Sequence, residues 1–277
     1  MQPAATHSIW KAQLSLEFEK RAQRTVVANR KHVGPLVIQK PFYPEGTPCH
    51  IYLLHPPGGL VGGDQLSLNV NLDTQSHVLI TTPGAAKFYR SAGPVAQQTQ
   101  TFNLGNECLL EWLPQETIVF DQSNAAIHTQ INLQQDSKFI GWEIICLGRA
   151  ASSEKFITGN LQQKFQLSIN NKPVFIERAL FQGKSELLSA PWGLANQPTV
   201  GTMIVAPGNR QLVQEIRETV HAEPHELFSV TLMDNVLVCR YLGPQAEAAK
   251  DLFIKVWKIV RPHIQNIEAC IPRIWNT

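Results

Sequence analysis

The residues of this 277-residue chain best placed to do chemistry are acids standing among apolar neighbours. Successive residues of a strand point to opposite faces. In "NKPVFIERALF", Glu177 shares a face with Phe175, Ala179 and Phe181. In "KFIGWEIICLG", Glu143 shares one with Phe139, Ile145 and Leu147. In "ECLLEWLP", Glu111 lies between Leu109 and Leu113. A carboxylate on an inward face is costly unless it is ion-paired, hydrogen-bonded or bound to a metal. Two chemistries follow. Such acids are structural ion pairs, for instance with Arg149 or Arg178, or they are oxygen ligands that hold a divalent ion loosely; the plain alternative is a strand whose second face is wet.

A second stretch, "HPPGGLVGGD" from His55 to Asp64, carries four glycines and ends on an acid. The gap from Gly58 to Gly63 fits a phosphate-binding loop, but Asp64 stands where that loop needs lysine. An acid there repels phosphate. A dinucleotide fingerprint fails too, because the following "LSLNVNL" alternates as a strand and no helix opens. The loop reads as a tight connection in which Gly58, Gly59, Gly62 and Gly63 let backbones approach, with Asp64 as a further interior acid. Other site types are poorly supported. There is no GxSxG. His221 and His225 are separated by Pro224, which interrupts any helix that would align them. Cys49 and His50 point to opposite faces of a strand, so a zinc site with His55 lacks ligands.

The elements that must position these acids are mostly strands. "LSLEFE" puts Leu14, Leu16 and Phe18 on one face. "AIHTQINL" does so with Ile127, Thr129, Ile131 and Leu133, and "KFQLSI" with Phe165, Leu167 and Ile169. Asn170-Asn171-Lys172 and Asp234-Asn235 sit between strand patterns as hairpin turns. Helical periodicity comes late. Leu212, Val213, Ile216 and Val220 form one stripe over 209–221. A broader stripe through Leu252, Phe253, Val256 and Trp257 runs over 245–260, with Pro262 closing it. The helix around Trp257 reads as core rather than as a partner face. The stretch 189–209 is the best candidate for a seam. The chain is otherwise read as one domain over 1–277, β-rich to about residue 200 and α/β from 201.

Composition narrows the class. Charged residues are only 17% of the chain, below the usual ~25% of soluble domains. Much of the surface is therefore neutral or apolar, which points to work inside an assembly. A net charge of +2 argues against nucleic acid. The cluster Lys20, Arg21, Arg24, Arg30 and Lys31 reads as the wet face of a strand pair. Five cysteines without a CxxC pair fit a reducing compartment. The opening residues show no signal pattern and no apolar run is long enough to span a membrane, so the expectation is a cytoplasmic protein.

Six ordered blocks carry a family resemblance: "GPLVIQKPFYPEG", "LLHPPGGLVGGD", "TTPGAAKFYRS", "EWLPQETIVFDQS", "GRAASSE" and "IPRIW". Together they span nearly the whole chain, which resembles the urease accessory family UreD, also called UreH. Val37 and Lys40 stand where arginines are expected, and Glu143 where aspartate is commoner. The resemblance implies a mainly β fold, a β-helix-like stack of strands with a few helices, two of them near the C-terminus. It implies a protein that is not an enzyme and holds no tightly bound cofactor. It also implies a complex with UreF and the GTPase UreG on apo-urease (UreABC), which enables GTP-dependent insertion of nickel, with UreE as the carrier. An internal passage for nickel has been proposed for the family. Asp64, Glu143 and Glu177 are accordingly expected to line a route for transient Ni2+. The alternative is a metal-dependent carbohydrate-active enzyme on a β-helix scaffold, since paired acids also do acid/base work.

Overall fold

The structure is a computed structural model that describes residues 10–276. The first half runs β1 (Lys11–Arg21), β2 (Arg24–Val33), β3 (Val37–Ile38), β4 (Cys49–Leu54), β5 (Gln65–Leu72), β6 (His77–Thr81), β7 (Ala86–Phe88), β8 (Ala96–Leu104), β9 (Leu109–Leu113) and β10 (Thr117–Val119). The second runs β11 (Ser123–Leu133), β12 (Lys138–Arg149), β13 (Glu154–Lys155), β14 (Gly159–Ile169), β15 (Lys172–Gln182), α1 (Glu186–Ser189), β16 (Thr199–Ala206), α2 (Arg210–Thr219), β17 (Leu227–Met233), β18 (Val236–Gly243) and α3 (Ala246–Gln265).

From β4 to β14 the main strands alternate between two sheets. One sheet has the order β15-β14-β11-β8-β5-β1-β2. The other follows the path β17-β18-β16-β12-β9-β6-β4-β3. Each coil of chain lays one strand on each sheet, parallel to the strand before it, as in β5, β8, β11 and β14. This is the expected β-helix-like stack, with α2 and α3 near the C-terminus. Antiparallel hairpins close the edges of the first sheet, β1–β2 at one side and β14–β15 at the other.

Parallel register makes like face like. Leu16, Val70, Phe102, Ile131 and Leu167 stand side by side across five strands, and none is exposed. They point into the space between the sheets, where they meet Phe139, Ile145 and Leu147 of β12 in one core. The outer face of the second sheet is apolar too. Ile140, Trp142 and Ile144 of β12 pack there with Leu212 and Ile216 of α2 and with Phe253, Val256 and Trp257 of α3. A strand buried on both faces is a near-continuous apolar run, which is why β12 reads "FIGWEIICL".

The helical stripes fall where the sequence puts them. Asn209 caps α2 by accepting from the Leu212 N–H at 2.9 Å. Trp257 is wholly buried, so the helix around it is core. Two expectations are corrected. Pro262 does not close α3, which runs on to Gln265. Near a C-terminus a proline forfeits one N–H bond, while its carbonyl still accepts from Asn266 at 2.8 Å; Asn266, at φ 55°, ends the helix in the left-handed region. The stretch 189–209 is not a seam in the sheet. It holds β16, an inner strand between β12 and β18.

Candidate functional site in the solenoid interior

One row of the interior breaks the apolar pattern. On the first sheet Leu68, Gln100, Thr129, Phe165 and Glu177 are neighbours in register across β5, β8, β11, β14 and β15. On the second sheet Glu143, Thr202 and Arg240 are neighbours across β12, β16 and β18. Both rows face the space between the sheets and form a polar rung across it. Glu143 accepts hydrogen bonds from the Thr129 hydroxyl and from Gln163 Nε2, the latter at 2.6 Å. Gln100 Nε2 reaches Thr129 Oγ1 at 3.5 Å, while Gln100 Oε1 is buried without a partner. Arg240 donates to Glu177 from the opposite sheet and to Thr202 Oγ1 at 3.3 Å. Burial pushes the Glu143 carboxyl above its ordinary range; the bonds from Thr129 and Gln163 oppose this, and the Glu177 charge adds to it.

A cavity of about 310 Å³ reaches this rung. Glu143, Gln100 and Trp112 form part of its wall, and His55, Thr82 and Gln115 another. Most of the wall is apolar. Among the described residues Glu143 is the only carboxylate on it, so the wall they form presents one acid.

The glycine loop borders the same cavity through Gly58, Gly59 and Leu60. A side chain at Gly59 would run into the Tyr89 ring, and Gly63 sits at φ 95°. Asp64 has a different post from the two glutamates. Its carboxylate accepts from the Val61 N–H at 2.9 Å and the Trp10 N–H at 3.2 Å, tying the loop to the start of β1. It is not on the cavity wall. It lies close enough to His55, which is, for its charge to favour the imidazolium against the stronger effect of burial.

Of the acids the sequence singles out, the structure thus brings Glu143 and Glu177 together and leaves Asp64 in the loop. Glu111 lies on the other side of its sheet. It is wholly buried under α3, bonded to His77 Nε2 at 2.7 Å, Trp257 Nε1 at 2.6 Å and Arg261 Nε at 3.1 Å. Arg261 also binds Glu45, which meets His50 Nε2 at 2.6 Å. Neither expected partner serves these acids. Arg149 pairs with Glu154, and the cations that do the work are Arg240 and Arg261. Arg240 was legible by the same sign as the acids, since it shares a face with Val238 and Leu242. Gln100 and Gln163 carried no such sign. Among the described residues no group of three or more His, Cys, Asp or Glu side chains is gathered to hold a metal ion. No helix there is long and apolar enough to cross a membrane.

A two-sheet β-solenoid with a polar rung through its interior and a helix locked over one sheet defines the class of fold. The family described as UreD urease accessory protein matches residues 11–276. The chain is 42% identical over 276 residues to a urease accessory protein UreD of Alcanivorax borkumensis, covering 98% of this chain and 94% of the relative. It is 41% identical over 268 residues to one of Citrobacter koseri (97% and 92%) and 42% identical over 270 residues to a urease accessory protein UreD 2 of Brucella anthropi (97% and 98%). The chain belongs to the UreD family of urease accessory proteins.

Proposed function

We propose that this protein acts in urease maturation as a non-catalytic scaffold in the cytoplasm, joining UreF and the GTPase UreG on apo-urease and letting nickel, delivered by UreE, pass through its interior during GTP-dependent insertion. The observation that carries this reading is the polar rung. An apolar stack gains nothing from a carboxylate held in its middle by two neutral donors, and the cavity that leads to Glu143 gives that carboxylate a use. Glu143 and Glu177 are the oxygen stations of the route. Asp64 serves it from the loop, fixing one wall of the cavity and setting the field at His55. Oxygen donors in small number suit an ion that must be released, because transfer requires sites that also let go. Nickel is cargo here and is not a resident cofactor. The expectation of a carbohydrate-active enzyme gains no support from the site, since Glu177 is engaged by Arg240 and is not poised as an acid or base.

The test is genetic and chemical. A urease-producing host that lacks this chain should make nickel-poor urease, and supplying the chain should restore nickel and activity together, with UreF and UreG recovered on it by affinity capture. Urease that loads nickel equally well without the chain would contradict the reading.

A further inference from the structure

We infer that Arg240 is a built-in competitor for the passing cation: its guanidinium holds Glu177 while the interior is empty and yields that carboxylate when a divalent ion arrives, so that no ion is retained. The inference rests on the reading that Glu143 and Glu177 handle a divalent cation.

Geometry places Arg240 for this part. Glu143, Thr202 and Arg240 stand in one row of the second sheet, and Glu177 faces them from the edge strand of the first. Arg240 spans the gap between the sheets to reach it. Arg240 thus bonds Glu177, while Glu143 stands two strands away on Arg240's own sheet, close enough to feel the Glu177 charge. Glu143 has neutral partners alone, Thr129 and Gln163. Gln100 Oε1, in a side chain 4% exposed on the same rung, has no partner and lies on the Glu143 side, joined to that acid through Thr129.

Mobility and charge fit the same role. The Arg240 side chain is 47% exposed against 19% for Glu177, so the guanidinium can swing into water while the carboxylate stays. A guanidinium keeps its charge at any working pH, so its competition with an incoming cation is constant. Without it, Glu177 would face a divalent ion unopposed, with Glu143 across the rung adding its charge. A site of that kind traps its cargo.

The test is equilibrium dialysis of the full-length chain against Ni2+, with Arg240→Met beside the unaltered protein. Removing a unit charge a few ångströms from a carboxylate changes its affinity for a cation by about tenfold or more. Arg240→Met is therefore expected to bind Ni2+ about tenfold more tightly and to lower the nickel content of co-expressed urease, because the ion is held back. Arg240→Lys should bind like the unaltered chain, and adding Glu177→Gln to Arg240→Met should return binding to its weak level. An Arg240→Met chain with an unchanged circular dichroism spectrum and unchanged Ni2+ affinity overturns the inference. The reading beneath it fails separately: in that case Glu143→Gln and Glu177→Gln leave urease nickel unchanged.

Discussion

Glu111 and Arg261 lie 150 residues apart in sequence and meet with Arg261 Nε 3.0 Å from Glu111 Oε2, both side chains wholly buried. Glu111 belongs to β9 and Arg261 to the last turns of α3, so the pair fastens the C-terminal helix to the second sheet. The same guanidinium reaches Glu45 and the Glu268 carbonyl, and Trp257 supplies an indole N–H to Glu111. Burial alone would push the Glu111 carboxyl up. The bond and charge of His77, with Arg261 and Trp257, outweigh it and hold the group below its ordinary range. Glu111, Glu45 and Arg261 each meet an oppositely charged partner, which is the condition for a buried ion pair to be tolerated, while His50 Nδ1 at the margin of the cluster is buried without a hydrogen-bond partner.

Breaking that fastening should be costly. Arg261→Met leaves Glu111 and Glu45 buried without their cation, and a loss of about 3–5 kcal/mol is expected. Arg261→Lys keeps the charge but not the fork that spans two carboxylates, so an intermediate loss is expected. Urea unfolding followed by tryptophan fluorescence checks both, since Trp257 stands in the cluster.

Acid should loosen the same cluster in a defined window. Burial raises the Glu45 carboxyl, but bonds from His50 and Arg261 prevail and bring it from 4.5 down to about 2. A carboxyl depressed on folding adds stability that is fully present above its unfolded value of 4.5 and is lost as pH falls toward 2. At roughly 1.4 kcal/mol per unit, the loss attributable to Glu45 is about 3 kcal/mol. The unfolding free energy of Glu45→Gln should therefore vary less between pH 5 and 2, by about that amount. A Glu45→Gln curve parallel to that of the unaltered chain would count against this assignment.

The rung should behave in the opposite way. Glu143 is a buried carboxylate with neutral partners, so Glu143→Gln removes an uncompensated charge from a place that disfavours it. Stability at neutral pH should hold or rise by up to about 1 kcal/mol, while the nickel content of co-expressed urease falls. A variant that is stable yet deficient in maturation separates the function of this residue from its structural part.

Asp64 should show the reverse balance. Asp64→Ala leaves the Val61 and Trp10 N–H groups without their acceptor, for an expected loss of about 1–3 kcal/mol. Asp64→Asn keeps one acceptor oxygen and should lose less. Thermal unfolding measures the difference. Hydrogen exchange should show the loss of protection at Val61 and at Trp10.

Much of this fold is written in period-two alternation. Leu14, Leu16 and Phe18, and likewise Ile127, Ile131 and Leu133, announce their inward faces, and the Asn170-Asn171 turn announces the β14–β15 hairpin. The same alternation marked Glu143, Glu177 and Glu111 as inward acids. It could not say which side of the sheet is inside, because β9 and β12 are apolar on both faces. Glu111 therefore looked like Glu143, although one faces α3 and the other faces the stack. Register between strands far apart in sequence was equally hidden. Nothing in "VLVCRYL" says that Arg240 stands two strands from Glu143. Pro262 does not stop α3, because a proline in the last turn removes only one hydrogen bond.

The most direct test of the interior route is the nickel content of urease matured with Glu143→Gln/Glu177→Gln in place of the unaltered chain, measured by atomic absorption on complexes shown to assemble normally. The account predicts that nickel per active site falls roughly tenfold or more while assembly is unchanged, since the ion loses both of its carboxylate stations. Urease carrying its full nickel content from that variant would contradict it.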